Sequence, residues 1–403
     1  MDILIEENRI AKISERIKSN AEHKINAEGM AAIPSFVNGH THAAMTLMRG
    51  FADDMQLYEW LSTKIWPIEA KLSENDVYIG SKLACLEMIK TGTTFFNDMY
   101  WHWKGTAKAV QEMGIRAAVS EVFIDLGDQN KAKEQMRLNA ESFNEAKKYG
   151  DRIMYMLGPH AIYTVSEESL YWAKEFSIKK NCLIHFHLSE TKKEVEDCIK
   201  KHRMRPVEYL EKIGFLCNNL VACHLVWLNE KEIALLKKHK VRLVHNPVSN
   251  MKLAVGGTFQ YDRLKKAGLL TALGTDGCAS NNNLDMLEEM KVAALLHKHT
   301  SSSPTMMPAS DVFSMATSEG AKVFNLSIGE IKEGNLADLL LVDLKHYSLT
   351  PNHNLISNLV YSATSEAINT TICNGRILMR NRKVEGEEKI IEEARMISEK
   401  LFS

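Results

Sequence analysis

The 403-residue sequence lacks the features that mark membrane, secreted and nucleic-acid-binding proteins. No uncharged apolar run approaches the ~18 residues that span a bilayer, and the N-terminus is acidic where a secretory signal would be basic. The seven cysteines show no CxxC spacing, which is typical of reduced thiols. The formal net charge is −1 without a strong basic block, which argues against nucleic acid as a partner. We therefore expect a cytoplasmic protein whose partners are neither membranes nor nucleic acids.

A glycine-rich dinucleotide-binding fingerprint is also absent after the first apolar run, which argues against an open doubly wound sheet. Between about residues 31 and 325, short apolar runs alternate instead with helix-period segments. The predicted strands are residues 31–37, 93–98, 116–123, 153–158, 182–187, 220–224, 242–245 and 270–274. The predicted helices include residues 73–90, 131–148, 166–179, 229–239 and 284–299. This alternation predicts an α/β fold in which residues 31–330 form a (β/α)8 TIM barrel.

The two chain ends carry short strand patterns without intervening helices. The predicted strands there are residues 2–5, 9–13, 337–342, 367–373 and 376–379. Asn374-Gly375 separates the last two strands and is a strong hairpin signal. Neither end can bury a sheet face alone, so we expect residues 1–30 and 331–403 to build one small β-sandwich beside the barrel. A terminal amphipathic helix is predicted over residues 387–401.

Histidine and carboxylate side chains stand at the ends of several predicted strands. His40 and His42 are two residues apart, and such residues point to the same side of an extended chain. His187 and Asp276 end two later strands, and functional groups of a TIM barrel gather at these ends. Three nitrogens and one oxygen, with room for a water, suit a catalytic zinc ion, with Fe²⁺ or Mn²⁺ as alternatives. His185 has the same strand parity as His187, and only the adjoining Leu-Ser-Glu favours His187.

Three of the strand-end residues have side chains suited to proton transfer. A bound divalent metal lowers the pKa of its water to about 7. Glu190 lies three residues beyond His187 and could protonate a substrate, while Asp276 could accept a proton from the water. His224 could steady the attacking water. A lone strand-end histidine is more often structural, but four such segments in order favour a site.

These segments resemble the amidohydrolase superfamily, in its mononuclear aminohydrolase branch. The resemblance rests on residues 34–42, 187–190, 223–224 and 273–276 and covers essentially the whole chain. Binuclear members use a carboxylated lysine at the end of the fourth strand, whereas this strand ends in His160 with no lysine. The resemblance therefore implies one divalent metal per chain, a deaminase rather than an amide hydrolase, and a homo-oligomer.

Further segments are similar to the 5′-methylthioadenosine/S-adenosylhomocysteine deaminases, namely residues 60–69, 158–160, 245–250 and 276–282. The resemblance implies that Glu69 binds the ribose hydroxyls, since a carboxylate accepts two hydrogen bonds. It also implies that His160 faces the purine or ribose. Trp60 would pack its flat indole over the substrate. Glu190 and Ser280 are the other candidates for contact with a nucleoside substrate.

The sequence departs from this group where the amino-acid carboxylate of S-adenosylhomocysteine would bind. Members that take this substrate hold the carboxylate with arginines, and Arg137 could be one of them. Between Arg116 and Arg137 there are only Lys131 and Lys133, and lysine lacks the rigid fork of arginine. Methylthioadenosine, adenosine and 5′-deoxyadenosine are therefore comparable candidates for the substrate.

Two other functions remain open from the sequence. The same metal residues could act on guanine, a pterin, cytosine or a chloro-triazine, and Glu69 with Trp60 is the feature that separates a nucleoside from these rings. The chain could also be a non-catalytic scaffold with the same fold. Such proteins typically lose metal ligands, whereas this sequence keeps all of them together with Glu190.

Overall fold

The structure is a computed structural model and describes residues 1–402. In chain order the strands are β1 Asp2–Glu6, β2 Arg9–Ser14, β3 Met30–Pro34, β4 Phe36–Thr41, β5 Thr93–Tyr100, β6 Arg116–Phe123, β7 Ile153–Tyr155, β8 Gly158–Pro159, β9 Ile184–Leu188, β10 Leu220–His224, β11 Arg242–His245, β12 Thr271–Leu273, β13 Leu339–Asp343, β14 Ile368–Cys373 and β15 Arg376–Met379. The α-helices are α1 Leu57–Trp60, α2 Trp66–Glu69, α3 Glu74–Thr91, α4 Trp103–Met113, α5 Gln129–Ala146, α6 Glu167–Lys180, α7 Lys192–His202, α8 Pro206–Lys212, α9 Glu230–His239, α10 Pro247–Lys252, α11 Tyr261–Lys266, α12 Met286–Ser301, α13 Ala309–Met315, α14 Ser318–Val323, α15 Leu355–Tyr361 and α16 Glu387–Phe402.

The central strands form two parallel sheets, one of β4 to β8 and one of β9 to β12. Backbone hydrogen bonds link the two sheets at both edges. The His185 amide donates to the Leu157 carbonyl at 2.8 Å, and the Asp276 amide donates to the His40 carbonyl at 2.9 Å. Helices occupy the connections between successive strands of these sheets, except between β7 and β8. The predicted α/β architecture with parallel strands is confirmed.

The strands and helices form where the sequence pattern and its boundary residues favour them. The strand β10 is buried along its whole length, as the continuous apolar run predicts. The helix α3 begins at a capping box between Ser73 and Asp76, which satisfies free amides of the first turn. It ends at Gly92, whose φ of 90° is left-handed and disfavours residues with a Cβ.

The first predicted strand, residues 31–37, is two strands in the structure. The strand β3 pairs with β13 in the terminal sheet, whereas β4 pairs with β5 in the parallel sheet. Ser35 lies between them, and its hydroxyl is 2.6 Å from that of Thr94. An apolar run reports burial but not a change of partner, so the sequence pattern could not predict this division.

The two chain ends meet in antiparallel sheets. The strands β1 and β2 form one pair, and β3, β13, β14 and β15 form a four-stranded sheet. Apolar residues of both ends pack together, including Ile10, Leu339 and Ile372. The predicted hairpin is confirmed, since Asn374 and Gly375 have φ angles of 52° and 75° between β14 and β15.

All seven cysteines are buried and free. Within residues 1–402, no helix combines the length and the apolar character that crossing a membrane requires.

Candidate active site

The four predicted metal ligands converge at the carboxyl ends of β4, β9 and β12. Nε2 of His40 and Nε2 of His42 each lie 3.3 Å from Oδ1 of Asp276. Nε2 of His187 lies 3.4 Å from Nε2 of His42. One ligand atom from each of His40, His42 and His187 falls within 4.8 Å of the others. The sequence separates these residues by more than two hundred positions, and the parallel strands bring them to one place.

The donor atoms of this cluster fit a divalent metal ion. Nε2 of His40 is fully buried, and no hydrogen bond of proper geometry reaches it from residues 1–402, although Asp276 is close. A buried polar atom without a partner is costly, and a ligand bond to a metal would remove that cost. Imidazole nitrogens with one carboxylate are a ligand set that proteins use for zinc and related ions. A divalent metal site is therefore supported by the structure.

The second ring nitrogen of each histidine is engaged by a neighbouring group. Nδ1 of His42 donates to the Met99 carbonyl at 2.6 Å, and Nδ1 of His187 donates to the His160 carbonyl at 2.9 Å. A proton on Nδ1 leaves Nε2 unprotonated and aimed at the common centre. The orientation of these two rings therefore suits metal binding.

His185 has a different place from His187. Its Nε2 lies 2.7 Å from Nδ1 of His40, which is a hydrogen-bond distance. The ligand atoms of His40, His185 and Cys223 also lie within 4.8 Å of one another. Two nitrogens 2.7 Å apart leave no room for an ion between them, so His185 orients the ring of His40.

Burial keeps the imidazoles of His40 and His187 neutral, as metal ligands must be. It lowers the pKa of His40 to about 4 and that of His187 well below the usual range. Asp276, in contrast, is held in its charged form. Burial alone would raise its pKa, but the adjoining imidazoles of His40 and His42 hold that pKa well below its ordinary value. The cluster therefore combines neutral nitrogens with an ionised carboxylate.

Glu190 and His224 lie beside the cluster and are almost fully buried. Oε1 of Glu190 is 3.8 Å from Nδ1 of His224, and that nitrogen donates to Oδ1 of Asn250 at 2.9 Å. Burial raises the pKa of Glu190. Burial alone would lower the pKa of His224, but the charges of Glu190 and Asp276 outweigh it and raise that pKa. A carboxyl group whose pKa is raised, beside a carboxylate whose pKa is lowered, is an arrangement suited to acid and base catalysis.

The cluster opens into a cavity of about 710 Å³, open mouth included. Much of its wall is aromatic, and its polar groups are the candidate residues already described. The lining residues are His42, Met45, Leu57, Trp60, Leu61, Trp66, Glu69, Met99, Tyr100, Trp101, Val122, Ile124, His160, Tyr163, His187, Glu190, His224, Leu253, Asp276 and Ser280. Among these described residues there is no lysine or arginine.

Four of the five predicted substrate residues besides Glu190 line this cavity. Trp60 is buried and donates from its indole to the Ala52 carbonyl at 2.9 Å. Burial raises the pKa of Glu69, which accepts a long hydrogen bond from Trp101 at 3.4 Å. Burial also lowers the pKa of His160 to about 3, so this imidazole is neutral. Ser280 reaches the cavity, but its hydroxyl donates to Oδ2 of Asp276 at 3.0 Å.

The fifth predicted substrate residue, Arg137, lies elsewhere. It is an exposed residue of α5, and its guanidinium binds both carboxylate oxygens of Glu141 at 2.8 Å. The structure does not bring Arg137 to the other candidate residues.

Several site residues were not assigned from the sequence. The hydroxyl of Ser249 donates to Oδ2 of Asp276 at 2.6 Å, and Asn250 fixes the ring of His224. Both lie in α10, directly after the end of β11. A position just after a strand end is the sequence signal that could have identified them. The aromatic lining by Trp66, Trp101 and Tyr163 carried no comparable signal, because isolated aromatic residues are common in cores.

The fold and the site define a class of metal-dependent hydrolase. The Amidohydrolase family matches residues 31–378, and this chain belongs to that family. The family resemblance seen in the sequence motifs is thereby confirmed.

Named relatives and solved structures resemble the chain over most of its length. It is 49% identical over 384 residues to a 5′-deoxyadenosine deaminase of Methanoregula boonei, covering 95% of this chain and 87% of the relative. It is 47% identical to a 5-methylthioadenosine/S-adenosylhomocysteine deaminase of Archaeoglobus fulgidus, covering 99% of this chain and 95% of the relative. The crystal structure of an adenosine deaminase from Xanthomonas campestris with bound zinc superposes with a TM-score of 0.88 at 33% identity, covering 93% and 86% of the two chains.

Proposed function

We propose that this protein is a metal-dependent hydrolytic deaminase. It converts the adenine of a 5′-substituted adenosine to hypoxanthine and releases ammonia. The observation that carries this proposal is the meeting of a buried acid, Glu190, with the cluster of three histidines and Asp276 in one aromatic cavity. The names of the relatives support the same reaction, since they describe deaminases of adenine nucleosides.

His40, His42, His187 and Asp276 would hold the divalent ion. Zinc is the favoured ion because it accepts mixed nitrogen and oxygen ligands, and the relative from Xanthomonas campestris contains it. When bound, the metal would lower the pKa of a water molecule to about 7 and so prepare it for attack.

Glu190 supplies the proton that the purine requires. Hydrolysis adds water at C6, and ring atom N1 takes up a proton as the aromatic system is broken. Since burial raises the pKa of Glu190, this side chain holds a proton at a pH where an exposed glutamate would be ionised. It is therefore the general acid toward N1.

Asp276 receives a proton from the attacking water and passes it to the departing amino group. Its lowered pKa keeps it ionised and able to accept that proton. Ser249 and Ser280 donate to one of its oxygens and hold the carboxylate in place. His224, fixed by Asn250, steadies the water. Loss of ammonia from C6, with the remaining hydroxyl proton returning to Glu190, then leaves the carbonyl of hypoxanthine.

The cavity favours an adenosine with a small or apolar 5′ group. Glu69 can accept hydrogen bonds from the ribose hydroxyls, and Trp60 offers an apolar wall. No cationic side chain lines the described cavity, so the carboxylate of S-adenosylhomocysteine has no ionic partner. The order of preference is 5′-deoxyadenosine, methylthioadenosine and adenosine before S-adenosylhomocysteine.

A panel of substrates tests the function. Metal-loaded protein is mixed with each of the four adenosine derivatives, and ammonia release and adenine absorbance are followed. We expect release from the three smaller substrates and a lower kcat/KM for S-adenosylhomocysteine. Unchanged absorbance with all four would refute the deaminase.

We also infer the finer architecture. Residues 31–330 form a closed (β/α)8 barrel, and residues 1–30 and 331–403 form a small β-sandwich with the terminal helix. The hydrogen bonds at both edges of the parallel sheets support closure. The free cysteines suit a reducing cytoplasm. The family resemblance suggests a homo-oligomer, which light scattering of the purified protein will test.

A further inference from the structure

The turn that carries Glu190 is strained and buried. It connects β9 to α7, and Ser189 in this turn has a left-handed φ of 51°. Left-handed backbone is unfavourable for a residue with a side chain, so surrounding contacts must hold it. The amides of Ser189 and Glu190 lie between the strand and the helix, and buried amides need partners.

Glu194 supplies both partners. Its Oε1 accepts from the Ser189 amide and its Oε2 from the Glu190 amide, each at 2.8 Å. Glu194 is the third residue of α7, whose N-cap is Thr191. In a capping box this residue returns to the amide of the N-cap itself. Here its carboxylate reaches further back and accepts hydrogen bonds from the amides of the two residues before the N-cap.

Burying the carboxylate of Glu194 is unfavourable for the stability of the fold. Glu194 is only 7% exposed, and within residues 1–402 it pairs with no lysine or arginine. Glu232, another buried glutamate, has Arg205 at 2.7 Å as its ionic partner. Burial of a charged group without an ion partner costs free energy, so stability alone does not favour this choice.

We propose that Glu194 is a positioning residue. By accepting hydrogen bonds from two successive backbone amides, it holds Glu190 where its carboxyl reaches the purine. The proposal rests on the proposed function, because it needs Glu190 to act in the chemical step. Glu194 is not a member of the metal cluster or of the cavity wall, and it reaches the wall through the backbone amide of Glu190. Its effect should therefore fall on the rate of reaction rather than on substrate or metal binding. A misplacement of about 1 Å can cost roughly 10²-fold in rate.

Glu194→Gln tests the role of these two hydrogen bonds in the full-length, metal-loaded protein. The side-chain nitrogen of glutamine cannot accept from a backbone amide, so one of the two hydrogen bonds is lost. Glu196→Gln is the matched control, since Glu196 is an exposed residue of the same helix that pairs with Lys192 at 3.2 Å. For Glu194→Gln we expect kcat to fall by about 10- to 100-fold, with KM within about twofold and unchanged metal content. The control should match the wild type.

A double-mutant cycle with Glu190→Gln separates positioning from general damage. If Glu194 acts through Glu190, its substitution should cost less than about threefold once Glu190 is replaced. A kcat within twofold of wild type, or an equal loss in both backgrounds, would overturn the proposal. If Glu194→Gln does not fold, Glu194→Asp keeps the charge, shortens the reach and is held to the same criteria. Wild-type protein that deaminates none of the substrates would instead refute the proposed function.

Discussion

Individual side chains in the cavity owe their chemical roles to burial and to their neighbours. Glu190 and Asp276 are both almost fully buried carboxylic acids. Burial raises the pKa of Glu190, whereas the imidazoles of His40 and His42 overcome the effect of burial and lower the pKa of Asp276. The same functional group is therefore prepared as an acid at one position and as a base at the other.

The first residue-scale prediction concerns Glu190. Its raised pKa means that the protonated form persists above the ordinary value of 4.5 and is lost as the pH rises further. The acid-dependent activity should decline on the alkaline side of that window. Glu190→Gln should lower kcat by about 10²- to 10⁴-fold, without loss of metal. Steady-state kinetics and metal analysis check this, and a variant with wild-type kcat would exclude Glu190 as the acid.

The second residue-scale prediction concerns Glu69. Two hydrogen bonds from hydroxyls to a charged acceptor contribute about 1.5–3 kcal/mol each. Glu69→Ala should therefore reduce kcat/KM for 5′-deoxyadenosine by at least about 100-fold. Glu59→Ala, in the neighbouring helix α1 but not on the cavity wall, serves as the control. An unchanged rate in Glu69→Ala would favour a free base or a triazine as the substrate.

The secondary-structure elements show what the sequence could and could not predict. Continuous apolar runs identified the parallel strands, because strands buried on both sides need apolar residues throughout. The histidines and Asp276 were found together because each directly follows such a run. Partners that act through a second contact, such as Ser249 and Asn250, remained hidden. Their roles depend on distances between α10 and other strands, which local patterns do not contain.

Arg137 also shows that a residue's position in the sequence does not establish where its side chain lies. Its position in the sequence suggested contact with the substrate, but its side chain points to Glu141 on the surface of α5. Adjacent positions on a helix face different directions. Ala132, Met136 and Phe143 form the apolar stripe of α5, and Arg137 lies outside it on the exposed face.

At the scale of elements, a buried ion pair joins the parallel sheet to the terminal sheet. Arg116 of β6 lies 3.1 Å from Asp338, and both side chains are almost fully buried. Asp338→Ala would leave the guanidinium charge without its partner, so the free energy of unfolding should fall by about 3–5 kcal/mol. The exposed pair of Lys193 and Asp197 offers a control, since Lys193→Ala should leave the free energy of unfolding almost unchanged. Denaturant titration measures both, and equal effects would contradict this account.

At the scale of the whole molecule, a divalent ion bound at the strand ends would stabilise the folded protein. Because the ion binds the folded protein, metal loading should raise Tm in proportion to the logarithm of free metal. Chelation should lower Tm and abolish ammonia release, and added Zn²⁺ should restore both. A Tm indifferent to chelation, in protein shown to be metal-free, would contradict a site formed by these residues.

The most direct test is anomalous diffraction from crystals of the zinc-loaded protein, recorded at the zinc edge. We predict one strong peak per chain, about 2.0–2.2 Å from Nε2 of His40, His42 and His187 and from a carboxylate oxygen of Asp276. A peak bound by other residues, or no peak between these side chains, would contradict the account.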